Sequence, residues 1–168
     1  MLSLQVQSQT ADAIAQQLFL ALLALPVEEA QLEGLSLFND PFYVAVPDDH
    51  PFADRESVAV EELSEQPLLL LDEGHCLRSQ ILKLCASRHT HEDDFRAASL
   101  ETLRVMVKHG LGITLMPSVA MAADEQDIRY LPITSNPYRT IGLFWHKHHH
   151  RAAFFRELAA VMAYKPMQ

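Results

Sequence analysis

Two cysteines, Cys76 and Cys85, are the residues of this 168-residue chain whose type and spacing point most directly to chemistry. They stand at opposite ends of one helical pattern, in which Leu77, Ile81 and Leu84 recur on a single face. At the start of such a helix, unpaired backbone N–H groups and the helix dipole favour the thiolate of Cys76, which is the nucleophilic form of a cysteine. The same pattern places Cys85 on the apolar face.

The distance between the two thiols limits what they can do. Nine helical residues span roughly 13 Å, whereas a disulfide requires its two Cα atoms to lie within about 7 Å of each other. Cys76 and Cys85 therefore cannot bond while the helix is intact. This spacing predicts a redox switch in which the helix unwinds; the alternative is a pair of inert buried thiols, a common fate of cysteine.

The composition narrows the class of protein. The net charge of −9 argues against nucleic-acid binding by this segment, since phosphate contacts need clustered Lys and Arg. No apolar run approaches the ~18 residues of a membrane span, and the start of the chain lacks the pattern of a signal peptide. Two cysteines are too few for a secreted disulfide scaffold, so we expect a cytoplasmic protein with no membrane partner.

Alternating strand and helix patterns around the cysteines predict an α/β fold with two subdomains around a cleft. The first subdomain comprises residues 1–46 and 141–168, and the second, residues 47–140, carries both cysteines. A turn at Asn39-Asp40-Pro41 is expected to separate two strands, and residues 28–34 are expected to form a loop. The last helix, residues 151–163, is predicted to point Phe154, Phe155, Leu158, Val161 and Met162 inward. Strands are predicted at Leu2–Val6, Leu20–Leu25 (as a central parallel strand), Leu35–Phe38, Phe42–Val46, Leu68–Leu71, Phe95–Ala98, Ile113–Met116, Ile128–Leu131 and Ile141–Trp145, and further helices at residues 11–18, from Cys76 and from Ser99 to Gly110.

The motifs of the chain are Gly74-His75-Cys76-Leu77-Arg78 with Cys85, residues 95–104, residues 112–117, residues 139–143, Gln9-Thr10 and Asp40-Pro41. Together they resemble the regulatory domain of the OxyR family, the hydrogen-peroxide sensors among LysR-type transcription regulators. The resemblance covers nearly the whole chain and implies a two-subdomain, periplasmic-binding-protein-like fold. Members of this family begin with one further strand and helix, and they carry an N-terminal DNA-binding domain. Neither is found in this chain, so we expect an isolated sensor segment that does not bind DNA alone.

The resemblance also implies roles for individual residues. Cys76 would be the peroxidatic thiol, which peroxide oxidises to a sulfenic acid, and Cys85 the resolving thiol that condenses with it. His75 and Arg139 would lie in the pocket of the reactive cysteine.

Four residues would bind peroxide, namely Thr10, Gly74, His75 and Arg78. For Thr10 the alternative is a simple helix cap, the usual role of a threonine in that position.

The family further implies partners and a mode of action. A homodimer, which could pair into a tetramer, would reach DNA only through the absent N-terminal domain, and RNA polymerase and thiol reductants would be its other partners. The chain would be a stoichiometric sensor without a cofactor rather than an enzyme. The alternatives are a LysR-type effector domain that binds a small metabolite in the cleft, with incidental cysteines, and a thiol enzyme such as a peroxidase.

The histidines cluster in two loops, His146, His148, His149 and His150 in one and His89 and His91 in the other. A zinc or copper site needs three or four converging ligands with an ordered outer shell, which adjacent loop residues rarely supply. We interpret both clusters as polar loops and expect no metal site.

Overall fold

A computed structural model of the chain describes residues 20–27, 29–73, 75–85, 96–122 and 125–164. The predicted strand at Leu2–Val6, the predicted helix over residues 11–18 and the predicted loop that contains His89 and His91 lie outside these residues. The described elements are β1 (Ala21–Ala24), β2 (Leu32–Pro47), α1 (Val60–Leu63), β3 (Leu70–Leu71), α2 (Cys76–Leu84), β4 (Arg96–Ala97), α3 (Leu100–Lys108), β5 (Thr114–Pro117), a 3₁₀ turn (Ser118–Ala120), β6 (Ile128–Pro132), β7 (Tyr138–His146) and α4 (Ala152–Tyr164).

The chain forms two compact units. The first comprises Met1–Asp40 and Arg139–Gln168, and the second comprises Pro41–Tyr138. The boundaries expected from the sequence, at residues 46/47 and 140/141, lie a few residues further along the chain. Both cysteines lie in the second unit.

In the first unit, β7 lies between β1 and the first part of β2. The pairing of β1 with β7 is antiparallel, with Ala21 opposite Phe144 and Ala24 opposite Ile141. The predicted strand at Leu20–Leu25 is therefore confirmed, but its described partner is antiparallel. The core of this unit contains Trp145, which is fully buried and whose ring centre lies 6.3 Å from that of Phe155 on α4.

The predicted inward face of α4 is partly wrong. Phe154, Val161 and Met162 are 57%, 69% and 39% exposed. The helix is buried instead along Phe155 and Ala159, which are four residues apart and so lie on one narrow stripe. One stripe cannot bury side chains that point in several directions around the helix, and the apolar pattern alone did not show which stripe it would be.

The predicted turn at Asn39-Asp40-Pro41 is also wrong, because β2 runs without interruption for 16 residues. Asp40 is fully buried and accepts a hydrogen bond from Arg139 Nε, so its side chain does not close a turn. Just beyond Pro41, Phe42 N donates to Pro137 O at 2.9 Å. The local preference of Asn, Asp and Pro for turns is overridden by these non-local partners. The expected loop over residues 28–34 likewise ends at Leu32, where β2 begins.

In the second unit, the later part of β2 pairs antiparallel with both β5 and β6, so that Val44 faces Leu115 on one side and Leu131 on the other. A separate two-stranded sheet pairs β3 with β4 in parallel. The strand predicted at Leu68–Leu71 is observed only over Leu70–Leu71, as β3, and all four of these leucines are buried. The helix predicted from Ser99 to Gly110 is confirmed as α3, and Ser99 is its N-cap residue, whose side chain accepts a hydrogen bond from Thr102 N.

Candidate functional site

The segment that leads into α2 is held on both sides by backbone hydrogen bonds. Leu69 N donates to Ile113 O at 2.8 Å, and Asp72 N donates to Ala97 O at 2.9 Å. Close approach of the neighbouring segment requires Gly112, because a Cβ atom there would lie 2.4 Å from the carbonyl oxygen of Pro67. The start of α2 is thus anchored to the core of the second unit.

Cys76 is the first residue of α2 and follows the extended N-cap residue His75. The Cys76 thiol is free, and the residue is partly exposed. The side chain of His75 makes no capping hydrogen bond to the helix. This location confirms the predicted place of Cys76 at the helix N-terminus, where backbone N–H groups point towards an incoming anion or oxyanion.

The guanidinium group of Arg78 turns back towards β3. Its Nη1 atom donates to the carbonyl oxygen of Leu71 at 3.0 Å, and its backbone N–H donates to His75 O at 3.0 Å. Arg78 therefore ties the first turn of α2 to the end of the preceding strand. Its predicted contact with peroxide stays a prediction, and Thr10 and Gly74 lie outside the described residues.

Cys85 lies at the other end of α2, where it is the C-cap residue and its N–H donates to Ile81 O at 3.0 Å. It is 7% exposed and packs in the core of the second unit with Leu77 and Ile81, which are 5% and 0% exposed. Burial raises the pKa of the Cys85 thiol, because a thiolate is disfavoured where water is excluded. The predicted apolar location of Cys85 is confirmed.

The two thiols are separated by an intact helix of nine residues. At the helical rise this length corresponds to roughly 13 Å along the axis, about twice the separation of Cα atoms that a disulfide tolerates. Both cysteines are free in this structure. It therefore describes a dithiol state in which the partly exposed thiol and the buried thiol cannot react with each other.

Arg139 lies in the first unit, where its Nε atom donates to Asp40 Oδ2 at 2.9 Å. The side chain of Arg139 is 12% exposed and that of Asp40 is fully buried, so this is a buried ion pair. The sequence did not indicate Asp40 as the partner of Arg139, because the two residues are 99 positions apart and the local pattern around Asp40 predicted a turn. The predicted place of Arg139 in the pocket of the reactive cysteine stays a prediction.

The histidines of the loop after β7 are engaged locally. His146 Nε2 lies 3.1 Å from Gln31 Oε1, and Arg151 N donates to His149 Nδ1 at 3.1 Å. Burial, followed by the nearby charges of His150, Arg151 and His146, lowers the pKa of His149. Within the described ranges no three or more metal-ligating side chains converge. His89 and His91 lie outside those ranges.

No helix in the described part of the chain has the length and apolar character needed to cross a membrane.

The comparisons with known proteins agree on one family. The family of LysR substrate binding domains matches residues 2–165. The chain is 42% identical over 147 residues to the DNA-binding transcriptional dual regulator OxyR of Escherichia coli (strain K12), covering 83% of this chain and 48% of that protein. It is 38% identical over 148 residues to a probable hydrogen peroxide-inducible genes activator of Mycobacterium avium, covering 84% and 47%. The chain thus spans about half the length of these relatives.

Solved structures extend the match to the fold. The reduced form of OxyR aligns with a TM-score of 0.82 at 36% identity, covering 94% of this chain and 77% of that one. The oxidized form of OxyR aligns with a TM-score of 0.76 at 34% identity, with the same coverage. The similarity to OxyR and the periplasmic-binding-protein-like α/β fold predicted from the sequence are both confirmed. This chain therefore belongs to the LysR substrate-binding domain family, and OxyR regulatory domains are among its structural neighbours.

Proposed function

We propose that this chain is the hydrogen-peroxide-sensing regulatory domain of a LysR-type transcription activator. The observation that carries the proposal is the placement of two free cysteines at opposite ends of one helix, the first partly exposed and the second buried. The relatives are named as transcription regulators or hydrogen peroxide-inducible genes activators. Their names support regulation rather than catalytic turnover.

In the first chemical step, the Cys76 thiolate attacks one oxygen of hydrogen peroxide and the O–O bond breaks. Cys76 becomes a sulfenic acid, and the leaving oxygen takes up a proton and departs as water. His75 and Arg139 would assist this step in the pocket of the reactive cysteine, and Thr10, Gly74, His75 and Arg78 would bind peroxide. These assignments follow the family resemblance.

In the second step, the sulfur of Cys85 attacks the sulfenic sulfur of Cys76. The S–S bond forms, the S–O bond breaks and a second water leaves, so that two thiols are oxidised while one peroxide is reduced to two waters. Burial of the Cys85 thiol and the length of α2 oppose this step in the folded helix. The step therefore requires α2 to unwind and expose Cys85.

Unwinding makes the two redox states structurally different. A disulfide between residues 76 and 85 is incompatible with the dithiol helix, so Leu77 and Ile81 must leave their present packing in the oxidised state. Each redox state then selects one packing of this region, which is the property that a switch requires.

The output of the switch would depend on parts of the protein beyond this chain. The chain would pair with a second copy in a homodimer or tetramer. The pairing would involve its two predicted subdomains, residues 1–46 with 141–168 and residues 47–140. Altered dimer contacts would reposition N-terminal DNA-binding domains and so affect RNA polymerase, and cytoplasmic thiol reductants would restore the dithiol.

The chemistry can be tested by counting free thiols after about one equivalent of peroxide. We expect both thiols to be lost as an intramolecular disulfide. Cys76→Ser should abolish oxidation, and Cys85→Ser should leave a sulfenic acid that dimedone traps. Retention of both thiols in a folded chain would instead favour a metabolite-binding domain, and sustained peroxide turnover with a thiol reductant would favour a peroxidase.

The conformational step has its own test. Peroxide should lower the far-UV helical signal of the wild-type chain, and dithiothreitol should restore it. Cys85→Ser is the matched control, because it reacts with peroxide but cannot form the bond that forces α2 open. An unchanged helical signal in a chain with a proven disulfide between residues 76 and 85 would refute the switch.

A further inference from the structure

Helix α3 carries the local features that stabilise a helix at both ends. Its N-cap residue Ser99 accepts a hydrogen bond from Thr102 N at 3.2 Å, and Glu101 lies in its first turn. Lys108 lies in the last turn, and Gly110 follows with φ at 68°, the left-handed conformation that closes a helix. The charges at both ends also complement the helix dipole. Local sequence and tertiary packing therefore favour the same conformation here.

Helix α2 lies in the same unit and has the same length of nine residues, but it lacks most of these features. Its N-cap residue His75 makes no side-chain capping hydrogen bond. Its first turn contains no acidic residue and instead carries the cation Arg78. It ends at Cys85 with φ at −92° and ψ at 3°, without a left-handed glycine. Lys83 in the last turn is its one favourable terminal charge in the described structure.

A further feature works against α2 from its middle. The Oε1 atom of Gln80 is buried and has no hydrogen-bond partner within the part of the chain that the structure describes. A buried acceptor without a partner destabilises the conformation that buries it. The helix therefore depends on the burial of Leu77, Ile81 and Cys85 in the core.

A short helix that depends on packing lies close to the balance between the wound and unwound states. Isolated helices of this length are marginal in water, so most of their stability comes from tertiary contacts. Small changes in intrinsic helix propensity then act directly on that balance. In α2 the exposed positions are Ser79 and Lys83, where substitutions alter helix propensity without altering the core.

We propose that the intrinsic helix propensity of the exposed residues of α2, above all Ser79, sets the reduction potential of the Cys76–Cys85 pair. This inference rests on the proposed function, in which the dithiol is helical and the disulfide is not. A substitution that stabilises the helix stabilises the dithiol alone, because the oxidised state lacks the helix. Residue 79 thereby determines how readily the sensor is oxidised, although its side chain takes no part in the chemistry.

The size of the effect follows from helix propensities. Alanine and glycine differ in a helix interior by roughly a fivefold change in an equilibrium constant. For a two-electron couple a fivefold change corresponds to about 20 mV. Ser79→Ala should therefore make the potential less negative, and Ser79→Gly should make it more negative, with the wild type between them.

The experiment equilibrates the whole chain and its variants with glutathione buffers of defined composition, followed by alkylation and mass spectrometry of the thiols. Val105→Ala and Val105→Gly are the matched controls, because Val105 is a 55% exposed residue inside α3. Both pairs of variants should differ in their urea midpoints. Only the pair at residue 79 should differ in reduction potential, since α3 lies outside the segment that a bond between residues 76 and 85 would close.

The outcomes are distinct. Equal potentials for Ser79→Ala and Ser79→Gly would overturn the inference, even if both variants form the disulfide. A comparable shift in the Val105 pair would also overturn it, because global stability rather than α2 would then set the potential. If the wild-type chain forms no disulfide between residues 76 and 85, the proposed function itself fails.

Discussion

Replacing Arg139 by methionine removes the guanidinium group from a carboxylate that water does not reach. Asp40 is fully buried, the Arg139 side chain is 12% exposed, and Nε lies 2.9 Å from Oδ2. Methionine keeps a long apolar side chain in this position, so the change removes charge and a hydrogen bond more than volume. The stability of the first unit should therefore report the electrostatics of the pair.

The expected magnitude follows from the burial of the two groups. Removing one member of a buried ion pair costs about 3–5 kcal/mol, because the remaining charge stays desolvated. We expect about 3 kcal/mol for Arg139→Met. Asp40→Asn should cost less, about 1–2 kcal/mol, since the amide oxygen can still accept the hydrogen bond. The double variant contains neither charge, so its cost should fall short of the sum by about 1–3 kcal/mol.

Urea denaturation followed by tryptophan fluorescence measures this cycle. Trp145 is the sole tryptophan of the chain and is fully buried in the same unit as the pair. A loss of 3 kcal/mol shifts the midpoint by roughly 1–3 M urea at ordinary denaturant slopes. The double-mutant cycle cancels any other contact that either side chain makes. A cost below about 1 kcal/mol for Arg139→Met, or additive single changes, would refute the interpretation as a buried ion pair.

Three further predictions concern stability. Burial raises the pKa of Cys85 above its unfolded value, so the contribution of the buried thiol to folding stability is complete below about pH 8.5 and is lost as the pH rises through the folded pKa. Cys85→Ala should therefore weaken the fall in urea midpoint between neutral and alkaline pH. An unchanged pH dependence in this variant would contradict the prediction. Ser99→Ala should cost about 1 kcal/mol through loss of a cap, whereas His75→Ala, which removes no capping hydrogen bond, should cost less than about 0.5 kcal/mol in the same assay; equal costs would count against the difference between the two helix starts. Gly110→Ala should cost about 1–2 kcal/mol for its left-handed backbone, and Gly112→Ala should cost more, since its Cβ would meet a backbone carbonyl at 2.4 Å; the reverse order of urea midpoints would show that the contact relaxes.

The elements around the cysteines could be predicted from the sequence because their signals are local. The period of Leu77 and Ile81 indicated the face of α2, and both are buried. Ser99 and Gly110 marked the ends of α3 through capping chemistry that involves neighbouring residues only. Where the determining partners lie within a few residues, the pattern was sufficient.

The predictions that proved wrong involve distant partners. The turn at Asn39-Asp40-Pro41 was predicted from residues that favour turns, but β2 continues through it because Asp40 pairs with Arg139 from a remote strand. The buried stripe of α4 depends on the shape of the strand against which the helix packs, so the exposure of Phe154 and Val161 was not evident from an apolar pattern.

By itself the sequence determined that two thiols end one helix, and hence that their distance forbids a bond, because helical rise is the same in every protein. Only the tertiary structure decided that Cys85 is 7% exposed. It also decided that Gln80 Oε1 is buried and has no hydrogen-bond partner among the described residues. The physical reason is that periodicity defines a face of a helix, whereas burial and hydrogen bonding depend on what other segments bring against that face.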